Sequence, residues 1–157
     1  MSATRERLLF PIMSNNDTQF MTVLSGIFGE CERVLKRPAG RLVFTFHHWD
    51  PNAWAELTIA LKHAAFRLVN AYVLFSEHPI SVHINNLNSI KHDSILVLAP
   101  ADSIPAEAKE WSLLRQIDTG ESEAFCRQCS EALGWFLASD CPSDEIRSGW
   151  KRLIEGK

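Results

Sequence analysis

No apolar run in the 157 residues approaches the ~20 that a membrane-spanning helix needs, so nothing here reads as a transmembrane segment. Charge is nearly balanced, with 16 basic against 19 acidic residues and a formal net charge of −3, so no global nucleic-acid-binding field is visible. The four cysteines, Cys31, Cys126, Cys129 and Cys141, are too sparse for a disulfide framework and are expected to stay reduced, as in the cytoplasm. Internal repeats and low-complexity tracts are missing as well. The N-terminal MSATRERLLFPIMSNN has no long apolar core or small-residue cleavage site, and reads as mature sequence rather than a signal peptide.

What is present fits one α/β domain. An apolar fraction of 46% and a charged fraction of 22% are ordinary for a globular chain long enough to bury a core. Residues 1–16 are irregular, interrupted by Pro11 and the Ser-Asn-Asn run. From Phe20 to Leu35 apolar residues recur every three or four positions, which predicts an amphipathic helix closed by Lys36 and Arg37. Arg41 to Phe46 is a continuous apolar run and reads as a strand buried on both faces, as in a parallel sheet. Asp50-Pro51 then caps a second helix, whose buried side runs from Trp54 to Ala64. FRLVNAYVLF (66–75) and HDSILVLA (92–99) are two further strands, joined by the long connection 76–91. Residues 101–157 read as a C-terminal helical segment with helices near 105–117, 121–138 and 143–155.

In open α/β sheets ligands bind beyond the carboxyl ends of strands. His47, His48, Trp49 and Asp50 follow the first strand at that position. One reading makes them contacts for a flipped base or a phosphate, with Trp49 stacking on a base. The other has them capping the sheet and packing on the next helix. His83 and Asn85, in a connection of a length that is uncommon without a function, are candidates for DNA or partner contact. Arg33, Lys36 and Arg37, with Arg41, cluster around one turn and are candidates for phosphate contact, or else form a solvated helix end. The histidines match no metal-binding spacing, so no metal site is assigned. Cys126-Arg-Gln-Cys129 lies inside an amphipathic helix, where two small hydrophobes on one face explain it better than zinc or redox chemistry.

The stretch ECERVLKRPAGRLVFTFHHWDPNAWAELTIALKHAAFRLVNAYVLFSEHP resembles the C-terminal half of S-adenosylmethionine-dependent, adenine-specific DNA methyltransferases. The family's Leu-Lys-Pro-Gly-Gly turn corresponds here to Leu35-Lys36-Arg37-Pro38-Ala39-Gly40. The resemblance covers roughly residues 17–100. It implies a partial Rossmann-like sheet of about three strands and two helices, with strand 92–99 inserted antiparallel between the other two. The family's Gly-rich cofactor loop and its Asp/Asn-Pro-Pro-Tyr/Phe motif have no counterpart in the sequence. The strand that carries that motif would neighbour strand 41–46, so the edge of 41–46 is expected to be open. The expectation is therefore a component of a DNA adenine methyltransferase, inactive alone. It binds no cofactor itself and completes a partner chain that holds S-adenosylmethionine. DNA would be engaged only through the assembled complex. The alternative is a non-catalytic interaction module that uses the open edge to bind another protein or a second copy.

Overall fold

The computed structural model describes residues 17–76 and 90–156. His83 and Asn85 lie outside the described residues, as does most of the 76–91 connection. Helix α1 spans Asp17–Val34 and is followed by strand β1, Leu42–Phe46. Between them Gly40 donates its N–H to the Lys36 carbonyl, and a Cβ on Gly40 would lie 2.7 Å from that oxygen and 2.9 Å from the Lys36 nitrogen. Both neighbours are backbone and have little room to yield. Gly40→Ala is therefore expected to destabilise the chain by about 1–3 kcal/mol in urea denaturation, as overpacking does.

Helix α2, Pro51–His63, opens as the sequence predicts: Asp50 is extended, its carboxylate accepts from the Asn52 N–H, and Pro51 occupies the first turn. Strand β2, Phe66–Phe75, and strand β3, His92–Pro100, follow. A short 3-10 turn, Ala101–Ser103, leads to helices α3, Ser122–Ala138, and α4, Ser143–Glu155.

The three strands form one sheet in the order β1-β3-β2, with β3 antiparallel to both neighbours. The expected placement of strand 92–99 is met. No two adjacent strands are parallel, so this is not the order of a doubly wound parallel sheet, and the sheet as described is an antiparallel one in an α/β chain. The expectation that strand 41–46 is buried on both faces is corrected. Leu42, Phe44 and Phe46 turn inward, while Val43 and Thr45 stand exposed, the alternation of a sheet with one covered face.

Register explains which face is covered. Phe44 lies opposite Leu96, and Phe46 opposite Ser94. Phe28 of α1 stacks on Phe44, Trp54 of α2 meets the Phe46 ring edge-on, and Ser94 donates to the Cys126 carbonyl of α3. These three helices thus lie on one side of the sheet, and α4 packs on α2 through the Trp54–Trp150 stack. On the other side Val43, Ile95, Val97, Tyr72 and Leu74 form an apolar face with no helix over it among the described residues.

The C-terminal helices are built into the same core rather than appended to it. Phe125, Leu133, Ile146 and Trp150 share one buried cluster with Trp54, Leu61, Leu96 and Leu98. The helix expected at 105–117 does not form. Residues 104–121 instead cross the helices as an irregular strap whose polar groups are satisfied by distant partners. The Trp111 indole donates to the Leu68 carbonyl, the Ser112 N–H to Glu131, and the Ile117 N–H to the Leu153 carbonyl. Gly134 makes room for Trp111, since a Cβ there would lie 2.2 Å from its ring.

Candidate functional site

The carboxyl ends of β1 and β2 and the start of β3 converge on one edge of the sheet, because Phe46 pairs with Ser94 and Phe75 with His92. His47, just past β1, places Nδ1 against the carboxylate of Asp93. His92 lies next to Asp93 in β3, with Nδ1 3.0 Å from the Ser122 hydroxyl and the Phe75 ring edge-on at 5.3 Å. Ser122 also accepts the Lys91 and His92 N–H groups at 2.9 and 3.2 Å, clipping the start of α3 to the start of β3. The result is a partly exposed imidazole–carboxylate pair on the uncovered face and a hydroxyl–imidazole pair on the helix-covered face, at the same end of the sheet.

The other strand-end candidates are committed to structure. His48 accepts the Asp50 N–H on Nδ1 at 2.9 Å, and its carbonyl takes the Trp54 indole N–H at 2.7 Å. Trp49 packs on Phe125 with ring centroids 4.3 Å apart. Asp50 is the cap of α2. Of the four residues from His47 to Asp50, His47 and Asp50 are exposed, and the Asp50 carboxylate is taken up in capping α2. Asp93 and Ser122 were not legible as candidates, because strand register brings Asp93 to His47 from 46 positions away, and the docking of α3 brings Ser122 to His92 from 30 positions away.

The basic turn is largely neutralised. Arg33 bonds Glu30 through Nε at 2.9 Å and Nη2 at 2.8 Å, and this contact raises the Arg33 pKa and lowers that of Glu30. Arg37 pairs with Glu32 and reaches Asp102 at 3.3 Å, while its Nη1 donates to the Glu32 and Leu35 carbonyls at the end of α1. Arg41 donates to the Pro38 and Gly40 carbonyls. Lys36 remains exposed with no side-chain partner among the described residues. The turn is thus a helix terminus closed by its own cations, leaving Lys36 as the phosphate candidate with its charge unspent.

Among the described residues no group of three His, Cys, Asp or Glu is arranged to hold a metal ion. Likewise, no helix among them is long and apolar enough to cross a membrane. All four cysteines are free. Cys126 and Cys129 are fully buried in α3, facing the sheet, and Cys126 points its thiol at the His92 carbonyl. Burial pushes the Cys126 thiol from 9.0 up to about 11, and Cys129 well above its ordinary value. Native-state alkylation at pH 8 should therefore label Cys31 and Cys141 and spare Cys126 and Cys129, read by peptide mass mapping. Both buried pKa values are raised on folding. The stability they contribute is present below pH 9 and lost as pH rises through about 11, so alkaline unfolding should begin in that window.

No family model matches the chain, and neither a curated protein nor a solved structure matches it. Among the described residues, one cleft of about 550 Å³ and another of about 570 Å³ are lined without His47, Asp93 or Ser122. Of the strand-end groups, His47 is exposed, whereas Asp93, His92 and Ser122 are half-buried.

Proposed function

We propose that this chain completes the sheet of a partner, as the C-terminal part of a methyltransferase-like assembly that modifies adenine in DNA. The observation that carries the reading is the uncovered side of β1. That strand pairs with β3 on one edge and with no other strand among the described residues, and Val43 on it is 55% exposed. An apolar strand whose outer edge and outer face have no partner among the described residues offers an association surface. The antiparallel strand between two co-directional ones also supports it, because the resemblance implies that arrangement for this part of the enzyme. On this reading the partner brings the methyl donor and the amino-group motif, and His47 with Asp93 sits at the seam beside the target.

A second reading is favoured by one observation: His48, Trp49 and Asp50 are spent on internal contacts. A module that keeps the sheet and uses β1 only to bind another protein needs nothing more from them. Calorimetric titration of the chain alone with S-adenosylmethionine should show no heat of binding on either reading. Saturable binding would contradict both, since it would place the donor site in this chain.

A further inference from the structure

The cleft beneath the strap has a chemistry of its own. It measures about 550 Å³, within the usual range for small-molecule sites, and is walled by Trp135, Phe136 and Leu153. Arg115 of the strap and Arg152 of α4 also line it. Both are exposed, and neither guanidinium has a hydrogen-bond or ion-pair partner among the described residues. Arg33, Arg37, Arg127 and Arg147, by contrast, each hold a carboxylate. Two unspent guanidiniums beside an aromatic wall make a local positive field over an apolar floor, suited to an anion. Glu145 lines the cleft too, one acidic group against the two arginines.

We propose that this cleft binds a small amphiphilic anion: an apolar body against Trp135 and Phe136, and a carboxylate held by Arg115 and Arg152. The site lies apart from the sheet edge and does not depend on the partner reading above. The probe is decanoate, titrated below its micelle-forming concentration against the full chain, with decanol as its uncharged counterpart. Decanoate should bind saturably, one per chain, with amide NMR shifts at Gly149 and Leu153. R115Q or R152Q should weaken it about tenfold, as the loss of one charge-assisted hydrogen bond does, and leave decanol unchanged. Added salt should weaken decanoate alone. Equal affinity for decanoate and decanol, decanoate binding indifferent to both substitutions and to salt, or no saturable binding at all would overturn the proposal. Both side chains are exposed, so the folded state should survive either change, which near-UV circular dichroism checks.

Discussion

Replacing Trp54 by alanine is expected to remove about 3–5 kcal/mol of stability, the range for deleting a large buried aromatic. Trp54 is fully buried and joins three parts of the chain. Its ring meets Phe46 of β1 edge-on at 4.8 Å and stacks on Trp150 of α4 at 5.4 Å, and its indole N–H holds the His48 carbonyl at 2.7 Å. Set against the roughly 5–15 kcal/mol that holds an ordinary domain together, that loss approaches unfolding. Trp54→Phe keeps most of the apolar area and loses the hydrogen bond, so about 1–2 kcal/mol is expected. Urea denaturation followed by circular dichroism separates the two. A Trp54→Ala loss under 1 kcal/mol would mean that α2, α4 and β1 do not share one core.

The second large effect is electrostatic. Glu56 of α2 is 3% exposed, with Oε1 bonded to Arg147 Nε at 2.9 Å and Oε2 without a partner among the described residues. The contact raises the Arg147 pKa, chiefly through that hydrogen bond. Arg147→Met leaves a buried carboxylate uncompensated. For a fully buried pair this costs about 3–5 kcal/mol, and since the Arg147 side chain is 37% exposed a loss of about 2–3 kcal/mol is expected. Adding Glu56→Leu to Arg147→Met should recover most of it, because the charge needing compensation is gone. A double variant no more stable than the single one, measured by thermal melting, would show that the pair acts through packing and not through charge.

Local signals carried much of this architecture. The N-cap and proline of α2, the run 66–75, and the helices at 122–138 and 143–155 were readable because each rests on neighbours within a few residues. The strap was not. Trp111, Leu114 and Ile117 recur every three residues and mimic a helix, but the Ser112 N–H goes to the Glu131 carboxylate and the Ile117 N–H to the Leu153 carbonyl, which spacing does not encode. Val43 misled for a related reason, since a valine awaiting a partner and a valine in a core look alike in sequence. At the strand end the histidines were visible from position, whereas Asp93 and Ser122 arrive only through the antiparallel register of β3 and the docking of α3. The basic turn read as a patch because the carboxylates that neutralise it include Asp102, 65 positions from Arg37.

The central claim is that β1 is completed by a strand from a partner. In an antiparallel pair alternate residues turn their N–H groups away from the neighbour, so β1 has amides that β3 does not bond. The most direct measurement is affinity purification of the chain from its native cells, with the wild type and Thr45→Pro side by side. Hydrogen exchange should then follow on any complex recovered. The account predicts a stoichiometric partner carrying a Gly-rich cofactor loop and an Asp/Asn-Pro-Pro-Tyr/Phe motif. Thr45→Pro should abolish its recovery, and the outward β1 amides should be protected in the complex but not in the chain alone. A chain recovered alone as a cooperatively folded monomer, with every β1 amide already protected, would contradict it.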